Sequence, residues 1–130
     1  MYRVRSAGYD VGLRRPVTLF AIAALAACLI GCGEPAPKTD AELGLNAQQA
    51  AGRRVFEHYC AACHNAYSSS GNKGPSLKKV FRKQFLPSGL PSNERFVRQT
   101  IVSGRNMMPG LGDALSEEQL GNLIAYLRTL

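Results

Sequence analysis

The sequence contains no tryptophan, only two histidines, and nine acidic residues against sixteen basic ones. Its one long apolar run, residues 17–30, is shorter than the roughly 20 residues that a membrane-spanning helix needs. A length of 130 residues excludes two large domains, and a hydrophobic fraction of 45% excludes a disordered chain. A small domain buries little of its surface and often depends on a metal, a cofactor or disulfides. The four cysteines are therefore the first candidates for function.

The N-terminal third differs in composition from the rest of the chain. Residues 1–31 hold four arginines and one aspartate, whereas residues 32–43 are acidic and rich in proline. A basic start, a short apolar stretch and small residues after it are typical of a secretory signal peptide. We therefore predict a signal peptide over 1–31, a flexible linker over 32–43 and one basic domain over 44–130. An uncleaved membrane anchor is the alternative for the first segment.

Two cysteines lie at the end of the apolar run. Leu29-Ile30-Gly31-Cys32 resembles the lipobox of bacterial lipoproteins, in which the cysteine carries the lipid, and residues 25–28 match the same pattern. We favour Cys32 over Cys28 because a polar, proline-containing segment follows it. Several acyl chains would anchor the domain stably at a membrane surface. The resemblance implies a lipoprotein on the periplasmic side of a membrane, and Gly33 favours the outer membrane; a soluble periplasmic protein is the alternative.

The segment Cys60-Ala61-Ala62-Cys63-His64 is the most specific motif in the chain. A C-x-x-C-H sequence is typical of covalent attachment of a c-type haem. On a helix, residues three and four positions apart share one face. Cys60 and Cys63 can therefore bond the two vinyl groups of one porphyrin while His64 binds its iron.

Three other functions use paired cysteines. Cys60 and Cys63 would form a structural disulfide in an oxidising compartment, or a thioredoxin-like redox pair. The redox pair expects a strand before the motif, and none is predicted here. A zinc site needs four ligands, and beyond the motif the domain offers only His58 and scattered carboxylates. We favour one covalent haem c.

With this motif, residues 44–130 resemble the class I cytochrome c family. Gly52 and Phe56 match the glycine and the aromatic residue of the family's N-terminal helix, and Tyr126 matches the aromatic residue of its C-terminal helix. The resemblance implies an all-α fold of three to five helices around one haem, with the first and last helices packed together.

Two more segments carry the resemblance. Pro75 follows the motif, and in the family the carbonyl of such a proline accepts a hydrogen bond from the axial histidine. Met108, followed by Pro109, matches the family's distal ligand, and Met107 is the alternative. The resemblance thus implies His64 and Met108 as the iron ligands. A thioether ligand raises the potential and fills the position where oxygen would bind, which favours electron transfer over catalysis.

Capping patterns predict where two helices begin. Asn46 with Gln49, and Ser116 with Gln119, have the spacing of a capping box. We expect one helix to lead from Asn46 into the motif, another to run from Ser116 to the C-terminus, and a third to cover residues 93–103. No family motif matches residues 80–92.

A basic cluster follows the haem-binding motif and consists of Lys73, Lys78, Lys79, Arg82 and Lys83. Such clusters are often only solvated surface, but they also steer association with acidic redox partner proteins. Anionic lipid headgroups are a second target for a tethered domain. We expect no nucleic-acid partner, because the protein is predicted to be exported and has no basic groove interleaved with aromatic residues.

These features predict a monohaem c-type cytochrome that transfers single electrons in the periplasm or at the outer face of a membrane. It would be an electron carrier and not an enzyme. One alternative is a fixed haem subunit of a larger dehydrogenase or oxidase complex. Others are a peroxidase or gas sensor with an open distal site, and a haem-free dithiol protein.

Overall fold

Helices dominate the part of the chain that the computed structural model describes, residues 37–130. They are α1 (Ala47–Tyr59), α2 (Glu94–Ser103) and α3 (Glu117–Leu127), together with one 3₁₀ turn (Val80–Arg82). Extended pairing within these residues is limited to isolated bridges. The prediction of an all-α fold is therefore confirmed. The predicted signal peptide, with Cys28 and Cys32, lies outside the described residues.

Side-chain caps set the starts of the helices. The Asn46 side chain accepts a hydrogen bond from the Gln49 amide at 2.9 Å, and the Gln49 side chain accepts one from the Asn46 amide at 2.9 Å. Ser116 and Gln119 form the same reciprocal pair at the start of α3. Both predicted capping boxes are confirmed. The C-terminal helix ends at Leu127, earlier than the expected end at the chain terminus.

Helices α1 and α3 cross at Gly52. A Cβ atom on Gly52 would lie only 1.8 Å from the backbone oxygen of Asn122, so no other residue fits at this crossing. Next to it, the Phe56 and Tyr126 rings pack at 5.6 Å between centroids. The expected contact between the first and last helices is confirmed. Leu123, which is fully buried, lies in the core beside this contact.

The compact unit begins at Lys38, earlier than the residue 44 expected from composition. Residues 39–45 form a hydrogen-bonded turn, in which the Leu43 amide donates to the Thr39 carbonyl at 3.1 Å. An ion pair of 2.9 Å between Asp40 and Arg53 ties this turn to α1. The last part of the predicted linker thus packs on the domain, because Asp40 in this part pairs with Arg53 on α1.

The segment 80–92 forms a loop closed by its own hydrogen bonds. The Leu86 amide donates to the Leu90 carbonyl at 2.8 Å, and the Ser92 amide donates to the Gln84 carbonyl at 3.0 Å. Val80, at the start of the loop, is buried in the core. This loop leads into α2 and supplies one wall of the cavity described next.

Candidate functional site

The C-x-x-C-H motif forms the turn that directly follows α1. The His64 amide donates to the Cys60 carbonyl at 2.9 Å, and the Cys63 amide donates to the same oxygen at 3.0 Å. The motif therefore keeps a helical turn, although α1 itself ends at Tyr59. Cys60 and Cys63 are free thiols in the structure, so the disulfide alternative gains no support.

The thiol of Cys60 is buried. Burial, and then the neighbouring Cys63, raise the pKa of the Cys60 thiol to about 11. Redox-active cysteines of the thioredoxin type have lowered pKa values, because the thiolate is the attacking species. The raised value argues against a dithiol redox pair, because it keeps the Cys60 thiol neutral at the wall of an apolar cavity.

The ring of His64 is fixed by two backbone contacts. Its Nδ1 lies 2.8 Å from the Pro75 carbonyl oxygen, which can only accept, so Nδ1 donates and the Nε2 lone pair is free for a metal. On the other side, a Cβ atom on Gly74 would lie 2.5 Å from Cε1 of the ring. The expected contact with Pro75 is present. The role of Gly74 was not predicted, since its only signal in the sequence is its place before that proline.

The two methionines of the predicted distal segment differ sharply in exposure. Met107 is 87% exposed, whereas Met108 is partly buried and packs against the core. Both lie in a tight turn that two backbone hydrogen bonds between Arg105 and Met108, at 2.9 and 3.0 Å, close. Asn106 supports this turn with a positive φ of 53°, a conformation that asparagine tolerates. The geometry favours Met108 over Met107 as the thioether that faces a cofactor.

All five predicted cofactor residues line one cavity of about 510 Å³. They are Cys60, Cys63, His64, Pro75 and Met108. Apolar side chains form most of the remaining wall, with Val80 and Leu86 from the loop 80–92, Val97 and Ile101 from α2, and Leu123 and Leu127 from α3.

The cavity's donor set fits a haem. Two thiols, an imidazole with its Nδ1 already bonded and a thioether surround a space with apolar walls, which suits a flat apolar macrocycle. Zinc has no comparable site: no cluster of three His, Cys, Asp or Glu side chains with metal-binding geometry occurs in residues 37–130. His58, the other histidine, is exposed on α1, as expected.

A family model described as cytochrome C oxidase, cbb3-type, subunit III matches residues 47–127. The chain belongs to the cytochrome c family. Cytochrome c6 of Synechococcus sp. (strain ATCC 27167 / PCC 6312) is 37% identical over 76 residues, which cover 58% of this chain and 64% of that protein. Cytochrome c6 of Parathermosynechococcus lividus is 33% identical over 81 residues, covering 62% of this chain and 88% of that protein.

A solved structure, cytochrome c6 from the diatom Phaeodactylum tricornutum, is 31% identical, covers 62% of this chain and 90% of its own, and superposes with a TM-score of 0.49. As a member of the cytochrome c family, the chain is a monohaem c-type cytochrome with one covalently bound haem c. It is an electron carrier and not an enzyme.

Proposed function

We propose that this cytochrome holds its haem through thioether bonds at Cys60 and Cys63, binds the iron with His64 and Met108, and carries single electrons at a membrane surface outside the cytoplasm. The observation that supports the ligand set most directly is the convergence of these four side chains on one apolar cavity. The bond between His64 Nδ1 and the Pro75 carbonyl, at 2.8 Å, presents Nε2 as the free nitrogen.

Each residue has a distinct task in this proposal. Haem iron, when bound, supplies a one-electron couple between its ferrous and ferric states. The Pro75 carbonyl orients the His64 imidazole and raises its basicity, as hydrogen-bond partners of metal ligands do. Met108 would hold the iron through its thioether, and this ligand would keep small molecules away from the iron and raise the potential. The apolar walls keep water from the site.

Paired methionine variants test the ligand set. Met108→Ala should lose the low-spin, methionine-ligated spectrum of the purified protein, because Met107, which also borders the cavity, is 87% exposed, whereas Met108 packs against the core. Met107→Ala should keep that spectrum, because its side chain is 87% exposed. Visible and paramagnetic resonance spectra measure the difference. An unchanged spectrum in Met108→Ala, or loss of it in Met107→Ala, would refute the assignment.

The basic cluster supports docking of acidic redox partners. Among the ion pairs of residues 37–130, none involves Lys73, Lys78, Lys79, Arg82 or Lys83. Lys73 and Lys83 also line the haem cavity. Unpaired charges beside the redox centre would steer an acidic partner to it, and salt would weaken this steering.

Small charged oxidants measure this steering without a known partner. Oxidation of the reduced protein by the hexacyanoferrate(III) anion should slow as ionic strength rises, and oxidation by a cationic cobalt complex should not. Lys73→Gln with Lys83→Gln should weaken the salt dependence for the anion. Lys38→Gln with Arg95→Gln, a control that also removes two positive charges but lies outside the cluster, should leave it nearly unchanged. Equal salt dependence for both oxidants would contradict the proposed steering.

A fixed subunit of a larger complex is the second candidate function, favoured by the description of the matching family model as an oxidase subunit. Mild solubilisation of native membranes, followed by native electrophoresis and haem staining, distinguishes the two. A small stained band supports a free carrier. A large stained complex supports the subunit.

We also propose that the mature protein is a lipoprotein acylated at Cys32 on the periplasmic side of a membrane. The support is the match of Leu29-Ile30-Gly31-Cys32 to a lipobox and the polar segment after it. Within residues 37–130, no helix reaches the length and hydrophobicity of a membrane crossing. Mass spectrometry of the membrane-extracted protein should show cleavage before Cys32 and the added acyl mass. Cys32→Ser should release the protein from membranes, whereas Cys28→Ser should not.

A further inference from the structure

A second cleft, next to the haem cavity, is lined by polar residues alone. It has a volume of about 360 Å³ and is bordered by Ser69, Ser76, Lys78, Lys79, Arg82 and Lys83. Four cationic residues and the Ser69 hydroxyl therefore border one space, and no Asp or Glu side chain lies among them. The Ser76 hydroxyl is already engaged, because it donates to the Ser68 carbonyl. This combination of charge and hydrogen-bond donors is what recognises phosphate-class oxyanions.

The cations of this cleft differ from the paired arginines elsewhere. Arg53, Arg98 and Arg128 each have a carboxylate partner at 2.9 Å or less. Within residues 37–130, none of the four cleft cations is in an ion pair. Four like charges within six residues repel one another, and a bound anion would relieve that repulsion.

Backbone contacts hold the cleft in shape. The amide of Lys79 donates to a main-chain oxygen of Leu130, the last residue of the sequence, at 2.8 Å, and Lys79 has a positive φ of 56°. The Lys83 ammonium donates to the Ser76 carbonyl at 3.1 Å, and the Lys78 amide donates to the Ser76 hydroxyl at 3.2 Å. The cationic groups are thus attached to an ordered backbone, which lowers the entropy lost on binding a ligand.

The cleft shares a wall with the haem cavity. Ser76 and Lys83 line both spaces. Ser76 also follows Pro75, whose carbonyl accepts the hydrogen bond from His64. A negative charge bound in the cleft would therefore act on the haem cavity through the shared wall, and negative charge stabilises ferric iron relative to ferrous iron.

We propose that this cleft binds a phosphate-class oxyanion, either free phosphate or the phosphodiester of a lipid headgroup, and that its binding lowers the reduction potential of the haem. By linkage, the oxidised protein then binds the anion more tightly than the reduced protein. A tenfold ratio between the two affinities corresponds to 59 mV for a one-electron couple.

Calorimetry and redox titration of the full-length, haem-loaded protein in uncharged detergent test the proposal. Inorganic phosphate is one ligand, and glycerophosphoglycerol, a headgroup without acyl chains, is the other, both at constant ionic strength. At least one of them should give a saturable isotherm and lower the potential over the same concentration range. The tighter of the two identifies the source of the anion.

The variants separate the cleft from the overall charge. Lys79→Gln with Arg82→Gln, two residues that line the cleft but not the haem cavity, should weaken binding about tenfold. Lys38→Gln with Arg95→Gln removes the same charge elsewhere and should leave binding nearly unchanged. Equal losses in the two double variants, or saturable binding of neither ligand, would overturn the proposal. The isotherms do not depend on which residues bind the iron, so failure of the proposed ligand set would leave them intact.

Discussion

The imidazole of His64 lies between the Pro75 carbonyl and the backbone of Gly74. The carbonyl sets the tautomer, through the 2.8 Å contact with Nδ1. The missing side chain of Gly74 leaves room for the ring, since a Cβ atom there would lie 2.5 Å from Cε1. The ring is thus positioned by main-chain atoms, which move less readily than side chains.

Gly74→Ala should displace the ring from the Pro75 carbonyl. Overpacking of this kind costs about 1–3 kcal/mol. Loss of the Nδ1 hydrogen bond lowers the basicity of the His64 imidazole. A less basic imidazole stabilises ferric iron less, so the reduction potential should rise. Potentiometric titration of the haem-loaded variant measures the shift.

The matched control is Pro75→Ala, which keeps the carbonyl oxygen that accepts from His64. It should change the potential less than Gly74→Ala does. A larger shift in Pro75→Ala would mean that the proline ring, and not the backbone geometry at Gly74, positions the imidazole.

Site residues could be predicted from the sequence where they lie within a few positions of one another along the chain. The spacing of Cys60, Cys63 and His64 defines one helical turn whatever the rest of the chain does. The role of Gly74 could not be derived in this way, because the chain must first fold back for its backbone to reach the ring. Exposure separates Met107 from Met108, and it too depends on the tertiary fold.

At the scale of helices, two glycines of the α1–α3 pair have opposite roles. Gly52 lies in the crossing, where a Cβ atom would be 1.8 Å from the Asn122 backbone oxygen. A Cβ atom added to Gly121, on α3, would have no other atom within 4 Å. The same substitution should therefore change stability in opposite directions.

Gly52→Ala should separate the two helices and destabilise the protein by about 3 kcal/mol or more, because a backbone atom cannot move aside as a side chain does. Gly121→Ala should stabilise it by about 0.5–1 kcal/mol, because alanine loses less conformational entropy in a helix. Urea denaturation followed by circular dichroism measures both. Similar effects of the two variants would show that the crossing tolerates a methyl group.

The helices themselves were largely predictable because their caps are local. Asn46 and Ser116 each lie three residues before a glutamine that completes the capping box. The start of the compact unit was not predictable from composition. Acidic, proline-containing sequence favours a linker, yet Asp40 pairs with Arg53, and that pairing is a tertiary contact.

At the scale of the whole domain, a pair of tyrosines connects the segment after the motif to α3. The hydroxyl groups of Tyr67 and Tyr126 are 2.8 Å apart. Tyr67 is 49% exposed, whereas Tyr126 is 1% exposed. Burial, and then the hydrogen bond with Tyr67, raise the pKa of the Tyr126 phenol.

This raised pKa predicts how global stability depends on pH. Below the ordinary tyrosine pKa of about 10, the folded and unfolded chains both hold the phenol proton, so its contribution is fully present. Above that pH the unfolded chain releases the proton while the folded chain retains it, so the free energy of unfolding falls as pH rises. Tyr126→Phe should be less stable at neutral pH by about 1 kcal/mol, through loss of a hydrogen bond, but should show a shallower decline in alkali.

Denaturation curves at a series of pH values from neutral to strongly alkaline measure both parts of this prediction. Tyr59→Phe is the control, because it removes one phenol and leaves Tyr126 in place, so the full alkaline decline should persist. If Tyr126→Phe and the unmodified protein lose stability in parallel above pH 10, the buried phenol does not govern alkaline unfolding. The decline would then belong to the other titrating groups, and the contact between Tyr67 and Tyr126 would contribute only its hydrogen bond.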